Sequence, residues 1–469
     1  MGKDSFILTE EHKKCLEFLE KSDRNLFITG KAGTGKSSLI QYFRKNTKKK
    51  VVVLAPTGIA ALNCRGQTIH SFFGFPPRII NLRAIRKTNN RIYKNIDTLV
   101  IDEISMVRAD LLDGVERFLR LNGRSESLPF GGTQIVFVGD LFQLPPVITG
   151  EEVNTYRSFY ESEYFFSANS FNRESFEIVE LKKIFRQKEE RFIDFLNKIR
   201  IGQTDSSVLQ LINDRVVEPS FDKRGHIILC AVNSVANGIN LERLFEINKP
   251  VFTYKAETEG DFPAETKTAP VDLELKLKVG ARVLFVKNDK GRRWVNGTLG
   301  TVFKLADDLI MVRILRAENP ELLYQRSETL CRKPQATIRS NLNKAGLSGT
   351  GVKIDGVSEV VEVEKEEWNN IRYEFDKKTG EINEKIIGTL RQFPLRLAWA
   401  ITIHRSQGMS LERVCLDFSR SPFAHGQTYV ALSRCRSLGG LVLTQKLWQS
   451  DILIDPRIVE FHRRLLGNS

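Results

Sequence analysis

The stretch Asn25-Leu26-Phe27-Ile28-Thr29-Gly30-Lys31-Ala32-Gly33-Thr34-Gly35-Lys36-Ser37 decides the fold. Its first half, 25–29, is a short apolar run and reads as a buried strand. Its second half matches G-x-x-x-x-G-K-[ST], and the residues that follow, 37–43, have helix-like sequence. Strand, glycine loop and helix in that order form a phosphate-binding loop at the head of a parallel α/β sheet. The glycines let backbone N–H groups curl around phosphate oxygens, Lys36 can reach the β and γ phosphates, and the Ser37 hydroxyl can hold Mg²⁺. The expected nucleotide contacts are Gly30, Ala32, Gly33, Thr34, Gly35, Lys36, Ser37 and Ser38. Alone, the motif says only that a nucleoside triphosphate binds.

Outward from the loop, short apolar runs alternate with helix-like stretches. Runs at 51–55, 98–101 and 134–138 predict strands of the same sheet; those at 227–231, 414–418 and 441–444 predict a second α/β unit. The run at 98–101 ends in Asp102-Glu103. Asp102 would contact the hydrated Mg²⁺, and Glu103 would orient and deprotonate the attacking water. An adjacent second carboxylate is usual in hydrolysing motor ATPases and often missing from kinases and small GTPases. The run at 134–138 leads into Gly139-Asp140-Leu141-Phe142-Gln143-Leu144-Pro145-Pro146, where Gln143 is placed to sense the γ-phosphate.

Bulk properties narrow the partner. The chain has 469 residues, enough for two to four domains, with 41% hydrophobic and 27% charged residues. Lys plus Arg number 71 against 57 Asp plus Glu, a formal net charge of +14, which suggests a polyanionic partner, nucleic acid before an acidic membrane. The six cysteines contain no C-x-x-C spacing, so a zinc site or disulfide framework is not expected and a reducing compartment fits. No signal pattern or run of transmembrane length is visible, and the expected protein is intracellular and soluble.

Two stretches break the α/β rhythm. One, in 66–95, carries Pro76, Pro77 and a basic series: Arg78, Arg83, Arg86, Lys87, Arg91 and Lys94. Taken alone, Phe72 and its neighbours Phe73 and Phe75 read as core before they read as a stacking platform. The other stretch, 298–389, is rich in β-branched and charged residues and reads as a β insertion. Late in the chain, Thr402, His404, Arg405, Ser406, Gln407 and Gly408 form a run too polar for a core.

Eight segments in order, GKAGTGKS, APTGIAALN, GQTIHSFFGF, IDEISM, GDLFQLPP, LKKIFRQ, AITIHRSQGMSLE and TYVALSRCRS, resemble the PIF-type DNA helicases, a 5′-to-3′, RecD-related branch of superfamily one. The resemblance covers nearly the whole chain. It implies two RecA-like P-loop NTPase domains: 1–170, with a wedge insertion at 66–95, and 171–297 plus 390–469, interrupted by an SH3-like β insertion at 298–389. It implies ATP and Mg²⁺ as cofactors, with Lys36, Asp102, Glu103, Gln143, Arg186 and Arg434 catalytic and Ser37 and Asp102 on the metal. Arg186 and Arg434 would both come from the second domain as γ-phosphate sensors. Gln407 and Gly408 join the nucleotide set. Pro56, Thr57, Gly58, Thr68, His70 and Phe72 of the first domain, and Thr402, His404, Arg405, Ser406 and Gln407 of the second, would track single-stranded DNA.

The family pattern L-[ST]-x-x-Q carries an adenine-reading glutamine; here Leu8-Thr9-Glu10-Glu11 is followed by His12, which takes that place and puts strict adenine selection in question. The implied activity is ATP-driven unwinding of forked or tailed duplexes, with G-quadruplexes and RNA–DNA hybrids as further substrates. It would serve repair, recombination, replication or telomere maintenance. A monomer is expected, with a DNA-induced dimer as the alternative. Three readings compete: a DNA-binding protein using ATP as a latch, a P-loop kinase, and the motor subunit of a nuclease complex. Intact Glu103, Arg186 and Arg434 oppose the first, and the second α/β unit opposes the kinase.

Overall fold

The computed structural model describes residues 8–467 apart from 149, 151, 263–268, 290, 292, 315–351 and 355–357. The first unit runs α1 (Glu10–Lys21), β1 (Asn25–Gly30), α2 (Lys36–Asn46), β2 (Val51–Ala55), α3 (Gly58–Cys64), β3 (Gln67–Thr68), α4 (Ile69–Phe73), β4 (Thr98–Ile101), α5 (Ala109–Asn122), β5 (Gln134–Gly139), α6 (Val153–Arg157) and β6 (Phe176–Leu181). Its six strands form one parallel sheet in the order β3-β2-β4-β5-β1-β6. Parallel strands need long crossovers, so helices cover both faces, and the central strands β4, β5 and β1 are buried along nearly their whole length.

Along β1 the two faces alternate. Leu26 and Ile28 pack with Leu39 and Phe43 of α2, whereas Phe27 packs edge-on against Phe137 and Phe165. Each such fully buried side chain contributes about 1.5–3 kcal/mol. The order also explains the site. β4, β5 and β1 are consecutive neighbours, so the segments leaving their carboxyl ends converge: Asp102 after β4, Gln143 after β5 and the phosphate loop after β1.

Two expected boundaries move. β6 pairs with β1 along its whole length, so the first unit extends past residue 170. β6 is an edge strand that mixes buried and half-buried positions and carries Glu177 and Glu180, so a search for continuous apolar runs passes over it. The second parallel sheet holds Ala400–Thr402, β7 (Ile227–Cys230), Val414–Asp417 and Leu441–Leu443, in that order. The last helix, Pro456–Leu466, returns to the first unit: Phe461 stacks on Phe166 at 4.2 Å, and Arg173 donates to the Leu465 carbonyl at 2.9 Å.

The β-rich part is larger than 298–389. Its six-stranded antiparallel sheet includes Arg282–Phe285 and Leu395–Leu397, where Val283 pairs with both Gly300 and Leu397. Strands inside the expected limits cannot complete this sheet without the flanking ones. Residues 315–351 of the expected insertion lie outside the described residues. The hairpin Glu366–Phe375/Ile382–Gln392 reaches the first unit. There the Tyr373 hydroxyl accepts from the Val53 N–H at 3.3 Å, and Glu384 pairs with Arg44.

Candidate nucleotide and nucleic-acid cleft

The phosphate loop follows β1 and ends in α2, whose first residue is Lys36. Its turns use left-handed backbone at Gly33 (φ 82°) and Gly35 (φ 85°). At Gly33 the freedom is also spatial, because a Cβ there would lie 2.7 Å from the Arg186 Cβ. The segment after β6 passes over the loop at this point, and the Phe185 N–H donates to the Gly33 carbonyl at 2.9 Å. Lys36 Nζ donates to the carbonyls of Gly30 and Lys31 at 2.7 and 3.0 Å. Burial lowers the Lys36 pKa against the pull of nearby carboxylates, so an anion arriving at the loop meets a poorly solvated ammonium.

The acidic pair sits beside it. Ser37 Oγ donates to Asp102 Oδ2 at 3.2 Å, and the Glu103 N–H donates to Asp102 Oδ1 at 2.9 Å. Glu103 has φ 52°, a left-handed conformation that costs a non-glycine residue about 1–3 kcal/mol and is typical of functional sites. Burial raises the Asp102 pKa. Burial first, and then the Asp102 charge, push Glu103 up to about 7. A base must be deprotonated to act. The rate constant kcat/KM for ATP is therefore expected to rise as pH increases through about 7, and a pH series on the free enzyme checks this.

Gln143 faces the same cleft, and its Nε2 donates to Asp140 Oδ2 at 3.4 Å. Arg186 and Arg434 both line the cleft. Their origins differ from the expectation. Arg186 belongs to the segment leaving β6 of the first sheet, although its guanidinium donates to second-unit atoms: Ser410 Oγ at 2.9 Å, the Ser433 carbonyl at 3.3 Å and the Gly408 carbonyl at 3.4 Å. Arg434 follows the helix Gln427–Leu432, and its guanidinium donates to the Val430 carbonyl at 2.9 Å and to Ser433 Oγ at 2.7 Å. Burial and the neighbouring Arg186 charge lower its pKa. Two buried guanidiniums beside one another favour a polyanion between them.

His12 occupies the third position of α1, where its Nδ1 accepts the Thr9 N–H at 3.1 Å and its own N–H donates to Thr9 Oγ1 at 3.3 Å, a capping box in which histidine replaces the usual Glu or Gln. With Nδ1 accepting, Nε2 carries the proton and donates to the Thr34 carbonyl at 3.3 Å. The ring lies parallel to Phe185 at 6.2 Å. Both ring nitrogens thus have protein partners, and His12 braces the phosphate loop through Thr34.

Of the DNA candidates, Thr57, Gly58, Thr402, His404, Arg405 and Gln407 line the cleft, as does Gly408. Thr402 Oγ1 and Gln407 Nε2 are buried polar atoms without a partner among the described residues, which points to a ligand. Burial lowers the His404 pKa and so favours the neutral ring. Pro56, Thr68 and His70 do not line the cleft, and the Thr68 hydroxyl caps α4. Phe72 is only 7% exposed and sits edge-on among Phe73, Tyr93 and Tyr373, so it is core. Ser406 is fully buried and its hydroxyl closes a turn onto the Ile403 carbonyl at 2.7 Å. Sequence reasoning missed Tyr429, whose hydroxyl accepts from the Ala32 N–H at 3.2 Å. It also missed Arg200, which pairs with buried Asp140 at 2.9 Å. Nothing local marks either, because their partners lie far away in the chain.

Comparison with known proteins accounts for the arrangement. The family model described as PIF1-like helicase matches residues 7–210. The ATP-dependent DNA helicase Pif1 of Bdellovibrio bacteriovorus is 31% identical, over 98% of this chain and 92% of its own. The ATP-dependent DNA helicase PIF1 of Emericella nidulans is 30% identical over 99% of this chain, which spans 63% of that relative's length. The structure of a Bacteroides Pif1 in complex with ADP-AlF4 superposes with a TM-score of 0.82 at 35% identity, over 99% of this chain and 98% of the other. A Bacteroides Pif1 bound to single-stranded DNA, also 35% identical with 99% of each chain covered, gives 0.63. The parallel sheets and the cleft between them are those of RecA-like helicase domains, and this chain belongs to the PIF1-like helicase family.

Proposed function

We propose that the chain hydrolyses ATP in this cleft to move 5′-to-3′ along one DNA strand and to separate forked or tailed duplexes. The observation that carries the reading is one cleft that joins the phosphate loop, Asp102 and Glu103 to the polar turn at 402–408. Lys36 binds the β and γ phosphates. Glu103 takes a proton from the attacking water, Gln143 positions that water, and Arg186 with Arg434 balance the charge that develops on the phosphoryl oxygens. Ser37 Oγ and Asp102 fit Mg²⁺, which supplies charge neutralisation when bound with the nucleotide. The exposed Ser37 hydroxyl lies 3.2 Å from the buried Asp102 carboxylate, and both are the hard oxygen donors that Mg²⁺ takes.

The relatives' names and the Bacteroides complex with single-stranded DNA support a DNA partner, as does the net charge of +14. Thr57, Gly58, Thr402, His404, Arg405 and Gln407 form the DNA track. The basic segment at 66–95 acts as the wedge, and the β-rich part as the SH3-like domain. One chain suffices for the motor. Closure of the cleft on ATP and reopening after hydrolysis alternate the two DNA grips. Among the described residues no helix is long and apolar enough to cross a membrane. Replacing both His404 and Gln407 with Ala is expected to weaken oligothymidylate binding about tenfold, with affinity for a fluorescent ATP analogue held within about twofold. Fluorescence anisotropy measures both, and unchanged DNA affinity would overturn the track.

A further inference from the structure

Asp140 is completely buried and does not line the cleft, yet it gathers donors from three separate parts of the chain. Arg200 on α7 (Glu190–Ile201) donates to Oδ1 from Nε at 3.2 Å and from Nη2 at 2.9 Å, and the Phe142 N–H donates to the same oxygen at 3.2 Å. On Oδ2, the Tyr429 hydroxyl donates at 3.3 Å and Gln143 Nε2 at 3.4 Å. The Tyr429 hydroxyl in turn accepts the Ala32 N–H of the phosphate loop. The Arg200 guanidinium lies 4.2 Å from the Phe142 ring centroid. Gly426 caps the helix Gln427–Leu432 with φ 70°, and a Cβ there would strike the Phe142 carbonyl and meet the Gln143 carbonyl at 2.7 Å. The end of this helix is therefore pressed onto the Gln143 loop, and Arg434 follows its other end.

A buried carboxylate is tolerated when it is paired and hydrogen-bonded, and every partner then becomes sensitive to the others. Two of the groups here have second roles. Ala32 offers a phosphate-loop amide, and Gln143 offers the amide expected to meet a γ-phosphate. A phosphate oxygen competes with the Tyr429 hydroxyl for the first and with Asp140 for the second. The first exchange frees the Tyr429 hydroxyl on the helix Gln427–Leu432, and the second frees a lone pair of Asp140, the carboxylate to which that hydroxyl donates; both loosen the hold on the helix that leads to Arg434.

We propose that Arg200 and Tyr429 are positioning residues of the ATPase, joined through Asp140 into a network that couples the phosphate loop and Gln143 on one wall of the cleft to Arg434 on the other. The proposal rests on the reading of this cleft as a DNA-stimulated ATPase. Arg200 anchors the carboxylate, Asp140 aims Gln143, and Tyr429 transmits the occupancy of the phosphate loop to the second unit. Neither Arg200 nor Tyr429 touches the reacting atoms.

The test uses the whole chain and compares wild type with Tyr429→Phe, which deletes one oxygen, and with the charge-balanced double variant Arg200→Gln, Asp140→Asn. Measured are kcat and KM for ATP with saturating oligothymidylate, oligothymidylate affinity with and without ADP–aluminium fluoride, and the melting temperature. Both variants are expected to keep KM within about twofold and to lose about tenfold in kcat. The ratio of the two DNA affinities is expected to fall to within about twofold of one. Wild-type kcat with a wild-type affinity ratio overturns the proposal. A fall in kcat with the affinity ratio intact, or losses that merely follow the melting temperature, also overturn it. A wild-type protein without DNA-stimulated hydrolysis would instead refute the reading of the cleft itself.

Discussion

Lys36→Ala lowers DNA-stimulated ATP hydrolysis by about 10³-fold, the scale for removing a preorganised donor from a desolvated site. Among the described residues the ammonium donates to the carbonyls of Gly30 and Lys31, both within the loop, so truncation leaves the sheet and its packing untouched. Burial weakens the hydration of this charge and thereby strengthens its attraction for phosphate oxygens. The melting temperature should stay close to wild type while turnover collapses, and strand separation should disappear with turnover. Coupled-assay ATPase rates beside a thermal melt check the pair of outcomes. Wild-type hydrolysis by the variant would remove Lys36 from the mechanism.

Glu103→Gln is the second large effect. Glutamine keeps the shape and cannot accept a proton, so kcat is expected to fall about 10²- to 10⁴-fold, with ATP affinity retained. The rise of kcat/KM through about pH 7 should vanish with it. Stability should move in the opposite direction. Burial and the Asp102 charge raise the folded-state pKa of Glu103 from 4.5 to about 7, so the folded protein holds this proton more tightly than the unfolded chain does. That contribution is fully present below pH 4.5 and is lost as pH rises through about 7. At pH 8 the variant should therefore melt at a higher temperature than wild type, and at pH 4 the difference should close. Melting curves at the two pH values measure it; a variant less stable than wild type at pH 8 contradicts the assigned environment.

The nucleotide half of the cleft was legible because its chemistry is local. A phosphate loop is a backbone conformation that glycines permit, and Asp102 and Glu103 declare themselves by closing an apolar run. Convergence of Asp102, Gln143 and the loop then follows from strand order, which motif order alone does not show. The fine structure was less legible. Phe72, which the residues alone read as core and the family resemblance placed on DNA, is core, in an aromatic cluster with Phe73, Tyr93 and Phe118 that draws on separate elements. Ser406 looked polar enough for DNA but spends its hydroxyl on its own turn. His12 looked like a base reader and also caps a helix. β6 was hidden by the two glutamates in its edge strand, and the limits of the β-rich part were hidden because Arg282–Phe285, before the proposed start, pairs both with Leu299–Thr301 inside it and with Leu395–Leu397 beyond its end. Arg200 and Tyr429 carry no local mark, since what defines them is a single buried carboxylate at Asp140.

The central claim is that ATP turnover at Lys36 and Glu103 drives strand separation. The most direct measurement is release of the labelled strand from a duplex with a 5′ single-stranded tail, run with ATP, without ATP, and with the Lys36→Ala variant, beside the same duplex carrying a 3′ tail. The account predicts release only for the 5′-tailed duplex, only with ATP and only with the intact lysine. Equal release without ATP or with Lys36→Ala, or hydrolysis stimulated by the tailed duplex with no strand released, would contradict it.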